Sequence, residues 1–273
     1  MSAIRRIGIT LGGGYVPGLG GVVRAITLAA QRRGWEVLGI RDGFDGLLFP
    51  DRYQDAGLVG LDQVLFGEQG SLLGTGVRHD PFRLQQMNDD GLVEDRDASG
   101  DVLAALRGHR IDAVIGIVGG SAATGSHALT VMWKLARQGL HCVCIPKSVE
   151  NDLAATAQPY GYDSVLTCAT QTLHHACIAA HDQGRVALVE VPGQLAGWLA
   201  LDAGLAAGAD AILIPEFAYD PAVLAQHVDG RAQQTQVVQR HDHRDAVAAQ
   251  DRQDRRAQVV VDVVQVGDRG ARL

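Results

Sequence analysis

The chain has 273 residues, room for one large or two ordinary domains, and its 47% apolar content is enough for a substantial core. A net charge of −7 argues against a broad nucleic-acid-binding surface, so no nucleic-acid partner is expected. No run of 18 apolar residues lacks a charge, so no membrane span is expected. A strand pattern begins almost at residue 1 and leaves no signal peptide, so we expect a cytoplasmic protein.

The four cysteines predict neither a disulfide framework nor a metal site. Cys142, Cys144, Cys168 and Cys177 contain no C-x-x-C pair. Cys142 and Cys144 alternate along one strand face, a poor geometry for bonding each other. We therefore expect buried free thiols.

Strand and helix patterns alternate through the first 216 residues. Strands are predicted at RIGITL (6–11), EVLGI (36–40), IDAVIGIVGG (111–120), HCVCIP (141–146), RVALVEV (185–191) and DAILIPE (210–216). Helices are predicted in 22–34, 100–110, 128–139, 163–182 and 192–208. This order is typical of an α/β protein with parallel sheets and helices on both faces, in which ligands bind at the carboxyl ends of the strands.

The composition changes near residue 220. Residues 231–273 contain eight Gln, eight Arg and nine Val but no Lys, Glu, Ile, Ser or Phe. Only residues 259–266 resemble a strand. We expect poor order over 220–273, and we favour an out-of-frame or chimeric gene end over a natural polar tail. An intact reading frame across codons 220–240 would reject that interpretation.

Two glycine-rich loops follow strands and precede helices. In GGGYVPGLGG (12–21) and VGGSAATG (118–125), glycines allow backbone N–H groups to approach a phosphate at a helix N-terminus. The first loop is neither G-x-G-x-x-G nor a Walker A loop, so a plain tight turn is its alternative. Arg78, in SLLGTGVRHDPFR, is a candidate phosphate clamp, with a solvated arginine as the alternative.

Seven segments, in order over about residues 4–218, resemble the 6-phosphofructokinase family. GGGYVPGLGGVVRA resembles its first loop, RDGFDGLL its (Y/R)(D/N)G(Y/F)xGL loop and GSLLGTGVR its G(G)T-x-LG(T/S)-x-R segment. VGGSAATG takes the place of GGDGS, and PKSVENDL (146–153) takes that of P(G/K)TIDND. GYDSVLTCATQTL resembles the GFDTA helix, and VEVPGQLAGWLALDAGLAAGADAILIPE resembles VEVMGRxAGWLAxxAGLAxGAxxxLIPE.

The resemblance implies phosphoryl transfer from ATP or pyrophosphate to the 1-hydroxyl of fructose 6-phosphate, with Mg²⁺ as cofactor. It implies a homo-oligomer of two similar α/β lobes: a donor-phosphate-binding lobe over 1–146 and a partial sugar-phosphate-binding lobe over 147–219. The second lobe would be incomplete. By this resemblance, the donor phosphates would bind to Gly13, Arg78, Gly119, Gly120, Ser121 and Lys147. The catalytic residues would be Ser148, Glu150 and Asp152, the last also serving the metal. The sugar phosphate would bind to Arg185, Gly193, Gln194 and Glu216.

Several positions depart from the family pattern. Glu150 stands where the base is an aspartate, and its carboxylate lies one carbon–carbon bond further out. Ser121 replaces the GGD aspartate that serves Mg²⁺, and a hydroxyl is a much weaker ligand for this ion. Gln194 replaces an arginine. Lys147 stands where pyrophosphate users have lysine and ATP users commonly have glycine, so the donor stays open. The alternatives are a catalytically impaired, ligand-binding or regulatory family member, or a defective gene product.

Overall fold

The computed structural model describes residues 4–53, 57–61, 73–76, 79–87, 91–119, 128–183, 186–193, 195–220, 222–226 and 258–261. The strands are β1 (Arg6–Gly12), β2 (Glu36–Ile40), β3 (Leu58–Gly60), β4 (Leu84–Met87), β5 (Val93–Arg96), β6 (Ala113–Val118), β7 (Cys142–Pro146), β8 (Ala187–Glu190), β9 (Ala211–Leu213) and β10 (Gln258–Val261). The helices are α1 (Leu19–Gln31), α2 (Asp45–Leu48), α3 (Ser99–Gly108), α4 (Ala128–Arg137), α5 (Tyr162–Gln183) and α6 (Trp198–Ala207), with a 3₁₀ turn at Pro50–Tyr53.

The described chain forms two compact units. The first contains residues up to Ser148 together with Leu153–Gly161, and the second contains Val149–Asp152 and the chain from Tyr162 onward. The boundary therefore passes through the PKSVENDL segment.

The first unit contains a five-stranded sheet in the order β3-β2-β1-β6-β7. The pairs β2–β1, β1–β6 and β6–β7 are parallel, as the alternation of strands and helices predicted. All residues of β1 from Ile7 to Gly12 are buried, so both faces of the central strand are covered. The edge strand β3 pairs antiparallel with β2 and was not predicted.

Helices α3 and α4 pack against this sheet through apolar side chains at helical spacing. Val102 and Leu106 of α3 share one buried cluster with Met132 and Leu135 of α4. Ile40 of β2 and Val114 of β6 belong to the same cluster. Because β1, β2 and β6 run parallel, their carboxyl ends lie at one edge of the sheet, where the loops of interest begin.

The second unit contains a three-stranded sheet in the order β8-β10-β9. Strand β10 is antiparallel to both neighbours, so β8 and β9 run in the same direction, and the sequence predicted no orientation for β10. β10 overlaps the first three residues of the 259–266 region that resembled a strand. Helices α5 and α6 pack on each other, with Leu173, Leu199 and Ala203 buried between them. Tyr162 of α5 donates a hydrogen bond to the Asp202 carboxylate of α6 over 2.6 Å.

All four cysteines are free, as expected. The prediction that they are buried is wrong: Cys142, Cys144 and Cys177 are half-buried, and Cys168 is exposed on α5. Burial raises the pKa of the Cys144 thiol to about 11. No helix in the described part of the chain combines the length and hydropathy needed to cross a bilayer. The other predictions for residues 220–273 lie largely outside the described residues.

Candidate functional site

A glycine turn joins β1 to α1 at the carboxyl edge of the main sheet. Gly13 and Gly14 follow the strand with φ of 87° and 80°. Gly18, with φ of 77°, is the N-cap residue of α1 and offers no side chain for capping. Backbone groups therefore line the approach to this helix N-terminus, the arrangement that the sequence suggested for phosphate binding.

Three neighbouring strand ends converge on this turn. The Gly119 N–H, after β6, donates to the Gly12 carbonyl over 3.1 Å, and the Lys147 N–H, after β7, donates to the Val118 carbonyl over 3.1 Å. A Cβ atom at Gly119 would lie 2.8 Å from the Lys147 carbonyl oxygen, so this approach requires glycine. Among the predicted donor-phosphate residues, the structure thus brings Gly13, Gly119 and Lys147 together.

The Lys147 side chain is buried beneath the first loop. It is 1% exposed, and its ammonium group donates a hydrogen bond to the Gly14 carbonyl. Burial lowers the pKa of Lys147 to about 8, because the charged form loses its hydration. The sequence had assigned this lysine to the donor; in the structure its charge contacts the protein's own loop.

Ser148 belongs to the first unit and is bonded there to Tyr160, which lies in the segment Leu153–Gly161. Its N–H donates to the Tyr160 carbonyl over 3.1 Å, and the Tyr160 N–H donates to the Pro146 carbonyl over 3.1 Å. Ser148 is 7% exposed and has further contacts in the protein. The Tyr160 hydroxyl lies against Gly18 of the first loop. Tyr160 therefore connects the two loops, a role that the sequence did not reveal because 142 residues separate it from Gly18.

Gly18→Ala should destabilise the protein by at least about 2 kcal/mol. The positive φ of 77° disfavours any side chain, and the new Cβ would overlap the Tyr160 hydroxyl. Chemical denaturation of the full chain measures this loss as a lower midpoint with an unchanged denaturant slope.

The matched control is Gly21→Ala in the first turn of α1. A Cβ atom there would meet nothing within 4 Å, so helix propensity should make this change neutral or stabilising by up to about 1 kcal/mol. Removing the hydroxyl with Tyr160→Phe should reduce the cost of Gly18→Ala. Equal costs at positions 18 and 21 would contradict the close approach described above.

The carboxylates of PKSVENDL belong to the second unit. Glu150 is 7% exposed, Asp152 is half-buried, and both have contacts in the protein. Asn151 adopts a left-handed conformation with φ of 55°. Its Oδ1 atom is buried and has no hydrogen-bond partner in the described structure. Three consecutive side chains thus supply carboxylate or amide oxygens, and one of these oxygens is unsatisfied.

This set of oxygens fits Mg²⁺, which prefers hard oxygen ligands and usually takes only one or two carboxylates together with water and substrate phosphates. The described residues contain no group of three His, Cys, Asp or Glu side chains that could hold a metal by themselves. Asp152 and Asn151 are therefore the residues that would hold the ion.

Glu216 and Gly193, both predicted to bind the sugar phosphate, lie in the second unit. The Glu216 Oε1 atom accepts a hydrogen bond from the Gly197 N–H over 2.8 Å. Gly197 is the N-cap residue of α6, so Glu216 caps that helix. Gly193 is buried, with φ of 145°. The other predicted site residues, Arg78, Gly120, Ser121, Arg185 and Gln194, lie outside the described residues.

Comparison with known proteins finds one family throughout. The phosphofructokinase family model matches residues 6–267 and so extends beyond the change in composition near residue 220. The chain is 38% identical over 237 residues to ATP-dependent 6-phosphofructokinase 1 of Nostoc sp., covering 86% of this chain and 63% of that protein. It is 35% identical over 227 residues to pyrophosphate–fructose 6-phosphate 1-phosphotransferase of Amycolatopsis methanolica, covering 83% and 61%. The chain thus spans about three fifths of the relatives that it matches.

Solved structures give the same fold. Phosphofructokinase of Pichia pastoris in the T-state matches with a TM-score of 0.68 and 25% identity, over 85% of this chain and 27% of that one. A pyrophosphate-dependent phosphofructokinase of Marinobacter aquaeolei matches with a TM-score of 0.62 and 19% identity, over 84% and 58%. The second likeness concerns the fold alone.

Proposed function

Because the chain belongs to the phosphofructokinase family, we propose that it transfers a phosphoryl group from ATP or pyrophosphate to the 1-hydroxyl of fructose 6-phosphate. The observation that carries the proposal is the edge at which β1, β6 and β7 end. Gly13 and Gly119 lie side by side there, and Gly119 cannot carry a side chain. An edge lined by backbone groups at a helix N-terminus is suited to a polyphosphate.

In the proposed step, the sugar 1-oxygen attacks the terminal phosphorus of the donor. A bond forms between the sugar oxygen and this phosphorus, and the bond between the phosphorus and the leaving group breaks. The leaving group is ADP when the donor is ATP and inorganic phosphate when it is pyrophosphate. The hydroxyl proton passes to the Glu150 carboxylate, which acts as the general base. Ser148 holds the transferred group through its hydroxyl, as the family pattern implies. The general base, Glu150, and the residue that holds the transferred group, Ser148, are thus both side chains of PKSVENDL.

The proposed site includes Mg²⁺, held by Asp152 with help from Asn151. When bound, the ion would offset negative charge on the transferred group and the leaving phosphate. The buried, unsatisfied Oδ1 atom of Asn151 supports this assignment. Ser121, which replaces the family's aspartate, would contribute only a weak ligand.

On the acceptor side, we assign the sugar phosphate to Arg185, Gly193, Gln194 and Glu216 by resemblance. Glu216 already caps α6 through Gly197, so it would contact the sugar from a fixed position. The proposal includes assembly into a homo-oligomer in the cytoplasm, again by resemblance.

The donor stays open between ATP and pyrophosphate, and relatives with each specificity match the chain. The ammonium group of Lys147 contacts Gly14, so in this conformation its charge stabilises the loop. Turnover should therefore be measured with each donor at the same fructose 6-phosphate and Mg²⁺ concentrations.

A coupled assay for fructose 1,6-bisphosphate, run with ATP and separately with pyrophosphate, tests the proposal. We expect turnover with one donor well above a metal-free control. Absence of turnover, combined with micromolar donor binding in calorimetry, would favour the ligand-binding or regulatory alternative. Absence of both in a well-folded sample would reject donor binding itself.

A further inference from the structure

We propose that Cys142, Cys144 and Met132 form a binding site for the soft metal ion Cu⁺, between β7 and α4. All three residues belong to the first unit, and none of them takes part in the proposed phosphoryl transfer. The inference therefore does not rest on the proposed function.

Two thiols lie side by side on one strand. Cys142 and Cys144 are two residues apart on β7, so their side chains point to the same face of the sheet. Val143, between them, points to the opposite face and is 65% exposed. The two thiols share a hydrogen bond, which brings their sulfur atoms close together. Strand β7 thus presents a preformed pair of soft ligands.

The face that carries the thiols is the one covered by α4. Cys142 pairs in register with Val114 of β6, and Cys144 pairs with Gly116. In parallel strands, residues in register have their side chains on the same face of the sheet. Both thiols pack against the buried cluster that contains Val114 and Met132. The thiol pair is therefore enclosed between the sheet and this helix.

Helix α4 contributes a third sulfur atom. Met132 is fully buried, and its backbone carbonyl accepts a hydrogen bond from the Cys142 Sγ atom over 3.9 Å. A Cβ atom at Gly116 would lie 3.3 Å from Met132 Sδ, so the thioether occupies the space that this glycine leaves free. Gly116 is beside Cys144 on the neighbouring strand, and such strands are about 4.8 Å apart. The thioether is thus next to the thiol pair.

The chemistry of these ligands selects the metal. Thiolate and thioether sulfurs prefer soft ions such as Cu⁺ to hard ions such as Mg²⁺ and Ca²⁺. Structural Zn²⁺ sites need four ligands, and no three His, Cys, Asp or Glu side chains come together in the part of the chain that the structure describes. Cu⁺ accepts low coordination numbers, so two thiolates and one thioether complete its ligand set. The C-x-C spacing alone predicted no metal site, because the third sulfur comes from a helix.

The position of the site allows an ion to enter. β7 is an edge strand of the described five-stranded sheet, and both of its thiols are partly exposed. Burial raises the pKa of Cys144 to about 11 and also raises that of Cys142, so both thiols are protonated at neutral pH. Binding of Cu⁺ forms two copper–thiolate bonds and releases both protons to the solvent, without oxidation of the sulfurs or of the metal.

The test is an anaerobic titration of the full chain with Cu⁺, in competition with the chelator bicinchoninate. The wild type should take up a single ion at this site, and C142S/C144S should not. Cys142→Ser should weaken binding by at least about 100-fold, since even changes outside the ligand set cost about 10- to 100-fold. Met132→Leu keeps the volume of the side chain and should weaken binding by about ten-fold. Zn²⁺ should bind far more weakly than Cu⁺ to the wild type.

The matched control is C168S/C177S, which removes the other two thiols. Cys168 and Cys177 both lie on α5, but their separation along the sequence puts them on opposite sides of the helix and roughly 13 Å apart along its axis. They cannot bind one ion together, so this variant should bind Cu⁺ as tightly as the wild type.

X-ray absorption at the copper edge identifies the ligand atoms in the wild type without any substitution. We expect sulfur neighbours only, with one fewer in Met132→Leu. Thermal melting shows whether each variant is folded, and bound Cu⁺ should raise the melting temperature of the wild type. If C142S/C144S fails to fold, C142A/C144A replaces it.

Four results would overturn the proposal. They are a wild type that cannot compete with the chelator, uptake retained in the folded C142S/C144S variant, uptake lost in C168S/C177S, and nitrogen or oxygen neighbours at the copper. Equal affinity in the wild type and Met132→Leu would overturn the three-sulfur site. Phosphoryl transfer is assayed separately without copper, so none of these results decides the proposed function.

Discussion

Glu150→Gln should lower the rate of phosphoryl transfer by about two to four orders of magnitude, the usual contribution of a general base. The amide keeps the size of the side chain but cannot accept the hydroxyl proton. Because Glu150 is only 7% exposed, bulk water has little access to replace it. The coupled assay under saturating sugar and donor measures the loss as a fall in kcat, while calorimetry should find donor affinity retained.

Glu150→Asp is the informative comparison, since it restores the residue type of the family pattern. It shortens the side chain by one carbon–carbon bond and keeps the charge. If the loop retains the family's geometry, this variant should equal or exceed the wild-type rate. Unchanged turnover in Glu150→Gln would exclude Glu150 as the base.

Lys147→Met should remove a pH dependence from the stability of the protein. Burial lowers the pKa of Lys147 from 10.5 to about 8 in the folded state. Between these two values the unfolded chain binds more protons than the folded chain, so stability rises with pH across this window. The stability gained when Lys147 loses its proton is complete above pH 10.5 and is lost as the pH falls through 8. Methionine keeps a stem of similar length and has no charge to titrate.

The measurement is the difference in free energy of unfolding between wild type and Lys147→Met, from denaturant titrations at pH 7 to 10.5. This difference should shift in favour of the wild type by roughly 3 kcal/mol as the pH rises from 8 to 10.5. Other lysines and tyrosines titrate in both proteins and cancel. A difference that stays flat would mean that the Lys147 ammonium keeps its ordinary hydration, contrary to its 1% exposure.

The alternation of apolar runs and amphipathic segments was sufficient to predict four strands of the five-stranded sheet, but not its edge strand β3. Strands β1, β2, β6 and β7 and helices α1, α3 and α4 overlap the segments chosen from the sequence. Parallel strands end at a common edge, which is why the convergence of Gly13 and Gly119 could be expected. Strands β4 and β5 were not predicted. Their sequences, LQQM and VEDR, are mostly polar and exposed, so they show no alternation of apolar and polar residues.

The contacts that shape the site depend on distant pairs, which a single sequence does not reveal. Lys147 and Gly14 are 133 residues apart, and Tyr160 and Gly18 are 142 apart. Lysine is rarely buried, so its motif position suggested a solvent-facing donor contact rather than an anchor for the first loop. The position of β10 between β8 and β9 is equally non-local, since more than 40 residues separate it from β9.

Phosphorus NMR of the reaction mixture tests the central claim most directly, because it observes the transferred group itself. Full-length protein would be incubated with fructose 6-phosphate, Mg²⁺ and either ATP or pyrophosphate, with Glu150→Gln as the matched blank. We expect the two phosphate resonances of fructose 1,6-bisphosphate to grow with one donor in the wild type and to be nearly absent in the blank. Donor consumed only to free phosphate, or equal product in both samples, would contradict the account.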